Sequence, residues 1–290
     1  MDANFDITPE KEGSVLHSLH GVDLRGRIAI VTGSNTGIGL ECSRQLLNLG
    51  LTKLILAVSD EAKGQAAATG LLEDRGQGIV VEVWKIDLCS YESVCDFAKR
   101  TTSLERLDIV ILNAGILPTK MELNPTTGHE QSIQVNYLST VLLAILLLPV
   151  AKAKRAAQEH PTRITITSSD ASAWTKFKER NENPLLPALD RPGKVDMLDR
   201  TWLSKLLGQF FLVELAKHVP LSVAVINAST PGMVYDSEIS RESKQTLAGK
   251  LAEVIRKPLG YTAEVGARMV VDAAVNHGAG HTGSTSGSRS

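Results

Sequence analysis

The sequence predicts an α/β protein built on one doubly wound parallel sheet. Three observations predict it. Apolar runs of strand length alternate with longer helical patterns, most of those runs are continuous and β-branched, and no linker or internal repeat divides the 290 residues. Strands covered by helices on both faces read as continuous apolar runs, because neither side meets water. Alternation of this kind implies right-handed βαβ units. Hydrophobic residues make up 43% of the chain, enough for a sizeable core in a single domain.

Taken in order, Met1 to Glu12 is acidic and polar, without the basic start and apolar run of a secretory leader. Thr8-Pro9-Glu10 reads as a cap and first turn, which predicts a short helix over 9–19 within an N-terminal extension, 1–21. The domain itself is expected over 22–280. Its candidate strands are Arg27–Gly33, Lys53–Val58, Ile79–Ile86, Leu107–Asn113, Arg163–Ser168 and Ser222–Asn227. Helical stretches between them include Leu40–Leu49, Tyr91–Thr101 and Ser204–His218. The most apolar stretch, Val141–Ala151, spans 11 residues. A membrane crossing needs about 20, so this stretch reads as a buried helix. Residues 173–200, rich in Pro, Asn and charge, read as a surface loop or cap, and 281–290 as a Gly/Ser-rich flexible tail.

Composition excludes several function classes. A net charge of -1 sets up no bulk field for nucleic acid or an anionic membrane. Cys42, Cys89 and Cys95 form no CxxC pair and lie at no metal-ligand spacing from histidine. Free thiols in a reducing compartment follow, and a cytoplasmic location with them. The seven histidines make no HxxxH or HExxH pattern, so no metal site is expected.

The strongest motif directly follows the first strand and opens a helix: Thr32-Gly33-Ser34-Asn35-Thr36-Gly37-Ile38-Gly39. Gly33 allows a tight turn, Gly37 lets backbone amides approach a pyrophosphate, and Gly39 permits close helix–strand packing. The helix N-terminus adds unpaired N–H donors and a positive dipole end. A Rossmann-type fold with NAD or NADP as cofactor is expected, an ordinary Gly-rich βα turn being the competing reading of this motif. Strand two ends in Ala57-Val58-Ser59-Asp60. Asp60 could take a ribose diol and Ser59 could bond a phosphate weakly, so the choice between the two dinucleotides stays open; an ordinary turn is the competing reading.

Further motifs in the same order carry a family resemblance over roughly residues 22–275. TGSNTGIG resembles the TGxxxGxG of the short-chain dehydrogenase/reductase family. Asp87-Leu88 after strand three resembles its adenine contact, and Asn113-Ala114-Gly115 its NAG sequence closing strand four. Asn136, in QVNY, is similar to the tetrad asparagine, and Ser169, in SSD, to the catalytic serine. Pro231-Gly232-Met233-Val234 looks like the loop over the nicotinamide. The Asp87-Leu88-Cys89-Ser90 and Thr262–Ala267 segments look most like the retinol-dehydrogenase-like branch, with its fungal enzymes of secondary metabolism.

The departures bear on function. The family's YxxxK reads here Thr201-Trp202-Leu203-Ser204-Lys205, so Lys205 is kept and the tyrosine is Thr201. The arginine of NADP-linked relatives is Ser59, and the threonine closing the PG loop is Asp236. In the family the tyrosine hydroxyl gives a proton to the developing alkoxide, assisted by the lysine. Three readings follow. The chain is a reductase acting without that acid, on an iminium carbon or with a substitute such as Tyr235, Asp170 or Tyr137. Otherwise it is a redox-neutral cyclase, isomerase or dehydratase using Ser169, Asp170 and Lys205 by positioning, or a non-catalytic cofactor-binding module. Trp174, Phe177 and Trp202 near the cap suggest a lidded pocket for a large, mostly apolar small molecule, with ordinary core as the competing reading. By the resemblance, the helix at Val141–Ala151 and the helix from Ser204 pair two copies in a homodimer.

Overall fold

The computed structural model describes residues 19–234 and 260–276. The helix expected over 9–19 (except Leu19), Tyr235, Asp236 and the tail 281–290 lie outside the described residues. Six strands form one parallel sheet: β1 (Ile28–Thr32), β2 (Lys53–Val58), β3 (Val80–Lys85), β4 (Ile109–Leu112), β5 (Thr162–Thr167) and β6 (Ala224–Ser229). Their order is β3-β2-β1-β4-β5-β6. The chain winds outward in both directions from β1 and β4, so the loops after these two strands diverge and leave a crevice at their carboxyl ends.

Each strand's side chains point alternately to two cores. On β1, Ile28 and Ile30 join one core while Ala29 and Val31 join the other; on β4, Val110 and Leu112 oppose Ile109 and Ile111. Both faces are therefore dry, which is why these runs are apolar at every position. Helices α1 (Gly37–Asn48), α2 (Glu61–Leu72) and α7 (Ala263–Val275) contribute to one core. Helices α3 (Tyr91–Thr101), α4 (Gln131–Ala157) and α6 (Met197–Ala216) contribute to the other.

Two helices differ from expectation. The apolar stretch expected at Val141–Ala151 belongs to the much longer α4, which is long and apolar enough to cross a membrane by length and composition. It packs instead through Leu143, Ala144, Leu147 and Val150 into the core beside β4 and β5. Its first part is not regular, because Gln134–Ser139 forms a π turn before α-helix resumes at Thr140. Helix α6 begins seven residues before the expected Ser204, because the Asp196 carboxylate caps the amides of Leu198 and Asp199 at 3.2 Å each. The cap segment contains a short helix, α5 (Leu185–Leu189), whose Leu189 packs with Ile133, Leu203 and Leu207.

Candidate active site

A cleft of about 630 Å³ lies at the carboxyl ends of the strands. The phosphate loop forms its floor. Gly33 (φ +63°) and Gly37 (φ +54°) adopt the left-handed backbone that only glycine holds without strain. Gly39 serves packing, since a Cβ there would lie 2.2 Å from the Gly33 carbonyl oxygen. Thr36, the N-cap of α1, makes no side-chain bond to the helix. The first amides of a three-turn helix thus meet the cleft without a side-chain partner, a fit for a pyrophosphate. Asn113 ties β4 to this loop: its Nδ2 donates to the Thr32 carbonyl at 3.1 Å, and the Thr32 hydroxyl accepts from the amides of Asn113 and Ala114.

At one end of the cleft stand Ser59, Asp60 and Lys63. Asp60 caps α2, accepting from the Lys63 amide at 3.1 Å, and pairs with the Lys63 ammonium at 3.3 Å. The amide bond, more than the ammonium, holds its carboxyl below the usual range. Asp87 likewise lines the cleft while accepting from the Cys89 amide at 2.8 Å. Cys89 also faces the cleft; burial first, then Asp87, push its thiol up.

At the other end, α6 presents Thr201, Trp202 and Lys205, and the loop after β5 presents Ser168 and Ser169. The half-buried Lys205 donates from Nζ to the Thr167 carbonyl at 2.8 Å. Loss of solvent pushes its ammonium down to about 8. Thr201 is 8% exposed, and its hydroxyl donates back to the Met197 carbonyl at 2.9 Å. Ser169 caps the 3-10 turn Asp170–Trp174, accepting from the Ala171 amide at 3.3 Å. Gln209 holds the neighbouring Ser168 hydroxyl at 2.8 Å, whereas at this end of the cleft Ser169 meets a backbone amide. Pro231, Gly232 and Val234 close the rim, and Val234 forms a bridge with Tyr261.

Five of the residues considered from sequence lie away from the cleft wall. Ser34 is fully buried, with its hydroxyl unpartnered and outside the cleft wall. Gly39 packs behind the loop, in the close helix–strand approach expected of it, and so does not itself line the cleft. Asn136 is buried and fully engaged: Oδ1 accepts from the Ile116 amide at 2.8 Å, while Nδ2 donates to the Ile116 carbonyl and to Ser204 Oγ. It braces the loop after β4 and does not reach into the cleft. Asp170 is exposed and accepts from the Thr230 hydroxyl at 3.2 Å. Tyr137, weighed as a substitute acid, packs beside Leu189 and Leu203, where burial pushes its phenol up. The expected Asn35, Thr36, Ile38, Leu88, Ala114 and Gly115 all line the cleft. Lys63 was not anticipated. The signal was present, since a cation three residues past an N-cap aspartate turns back towards the helix start.

Comparison with known proteins gives consistent matches. The family model for short chain dehydrogenase matches residues 27–178. The short-chain dehydrogenase fogG of Aspergillus ruber is 46% identical over 95% of this chain and 83% of its own length. The short chain dehydrogenase virL of Hypocrea virens is 40% identical over 89% of this chain and 75% of its own. Among solved structures, the NADP complex of RhlG from Pseudomonas aeruginosa superposes with a TM-score of 0.66 at 25% identity, covering 91% of this chain and 95% of that one. Salutaridine reductase from Papaver somniferum superposes with a TM-score of 0.66 at 20% identity, covering 89% and 99%.

Proposed function

Because the chain belongs to the short-chain dehydrogenase family, we propose that it is an NADP-dependent reductase of a large, mostly apolar small molecule, working without the family's tyrosine acid. The observation that carries this reading is the uncapped start of α1 facing a cleft that retains Lys205 and Ser169. The phosphate loop and α1 would hold the pyrophosphate, Asn113 to Gly115 and the Pro231–Val234 rim would flank the nicotinamide, and Lys205 would bond its ribose. The dinucleotide, when bound, supplies hydride. Ser169 would polarise the acceptor, a carbonyl or an iminium carbon; an iminium becomes a neutral amine on taking hydride, with no proton needed. The hydroxyl of Thr201 supports the missing-acid reading, because it donates to its own helix and its chemistry is far less acidic than a phenol's. Leu198 and Trp202 beside it suit an apolar substrate.

NADP is favoured over NAD by Lys63, whose ammonium stands with the Ser59 hydroxyl and the α2 N-terminus where a 2′-phosphate would lie. Asp60 is already engaged by the helix amide and by Lys63. Thermal protection by each reduced dinucleotide tests this. NADPH should raise the melting temperature at roughly tenfold lower concentration than NADH, and Lys63→Ala should abolish that difference. Failure of both dinucleotides to protect at millimolar concentration would overturn the reading and favour a redox-neutral enzyme. Two copies are inferred to pair through apolar residues on α6, where Phe210 and Val213 are 56% and 49% exposed, and on α4, where Ile145 is 43% exposed.

A further inference from the structure

The proposed reduction of a carbonyl leaves one proton without a source. Several groups near the cleft are engaged or badly placed. Thr201 donates to the Met197 carbonyl, and Ser169 is a neutral hydroxyl capping Ala171. Asp170 points to Thr230, and Tyr137 is packed among the leucines of α5 and α6. Lys205 differs from all of these. It opens onto the same cleft wall as Thr201, one turn further along α6. Among the described residues Nζ has one acceptor, the Thr167 carbonyl, and an ammonium carries three N–H groups. Gly115 stands beside that nitrogen on the cleft wall, a Cβ there falling 3.6 Å from Nζ in ordinary contact. Threonine in place of a tyrosine also widens the cleft beside it, and Leu198 and Trp202 border that space.

We propose that Lys205 is the general acid for carbonyl reduction in this chain, protonating the substrate oxygen directly from the side where the family has a phenol. The proposal rests on the reductase reading above. Hydride adds to the carbonyl carbon, the C=O π pair moves to oxygen, and that oxygen takes a proton from Nζ. A C–H and an O–H bond form; the π bond, one N–H bond and the C–H bond of the reduced dinucleotide break, so the carbonyl is reduced, the dinucleotide is oxidised, and the neutral amine is reprotonated by solvent. Besides Lys205, the ionisable groups lining the cleft are Asp60, Lys63, Asp87 and Cys89; the adjoining elements also carry Asp170 after β5, Tyr137 on α4 and Arg200 on α6, the last paired with Glu179 at 2.9 Å. Among the described residues none holds the ammonium charged; burial alone acts on it and brings it near 8, close to working pH.

The test compares two acceptors in single turnovers with NADPH. 1-Tetralone needs a proton, and N-methyl-3,4-dihydroisoquinolinium does not. In Lys205→Met and Lys205→Arg, the ratio of ketone to iminium reduction should fall about 100-fold, the size of a general-acid contribution. Arginine keeps a positive charge and N–H donors but yields no proton, and the iminium arm reports any loss of positioning it causes. In the wild-type protein without dinucleotide, acetic anhydride labelling of Lys205, read by peptide mass spectrometry, should reach half its maximum near pH 8. An unchanged ratio in both variants, or labelling that rises only near pH 10, overturns the proposal. So does a wild-type protein that reduces the iminium but not the ketone, and in that case the reductase reading stands. If neither acceptor is reduced, the reductase reading falls and the proposal with it.

Discussion

Lys205 leaves solvent without gaining a counter-ion, and this has a thermodynamic signature. Its folded value is about 8 against an ordinary 10.5, so between these the unfolded chain binds more protons than the folded one. Stability must therefore rise with pH across that interval, the penalty for a half-buried ammonium being fully present below pH 8 and relieved above 10.5. Measured in denaturant, the wild type should gain on Lys205→Met as pH climbs from 8 towards 10; a constant difference between the two would contradict the buried placement. At this scale sequence reading was uneven. Glycines that need a left-handed backbone, and Lys205 four residues after Thr201, are visible from spacing alone. Asn136 was not readable as a brace, because its partners, Ile116 and Ser204, are 20 and 68 residues away. Asp170 was not readable as a surface residue, because it opens the 3-10 turn that Ser169 caps and its acceptor role towards Thr230 spans 60 residues.

The elements were legible wherever one physical pattern governed them. The strands fall within two residues of their expected bounds, because a run dry on both faces starts and stops with its apolar residues. Helix α3 matches Tyr91–Thr101, where Ser90 caps the amide of Ser93. The start of α6 was missed because Asp196 follows a stretch rich in charge, where one capping carboxylate does not stand out. Helix α1 illustrates how tightly such elements fit. A methyl group at Gly39 would meet the Gly33 carbonyl oxygen at 2.2 Å and Asn113 Nδ2 at 2.6 Å, both part of the loop under the cleft. Gly39→Ala should therefore destabilise by about 2 kcal/mol or more, roughly 4–8 °C in melting temperature. Calorimetry showing less than about 1 °C would mean that the helix can slide away from the sheet.

Over the whole molecule, two cores on opposite faces of one sheet support the cleft where the winding reverses. That architecture followed from alternation alone, whereas the outer surface of the helices was not legible as core or interface. Phe210 and Val213 lie on the solvent side of α6, on the same helix that carries Lys205. If two copies pair there, Phe210→Asp should shift the protein from dimer to monomer in sedimentation velocity; a wild type that is already monomeric at micromolar concentration would refute the pairing. The π turn in α4 has a broader consequence. A sixth residue in one turn retards the helix by about 100°, so its two halves face different directions. The later half offers an apolar stripe to the sheet, while the earlier half sends Val135 and Gln131 to the cleft and Asn136 to the loop after β4. Removing one residue from that turn would restore a uniform spiral and rotate the braced segment away from its loop. One helix thus works as two tools on a common shaft, set at an angle by a single surplus amino acid.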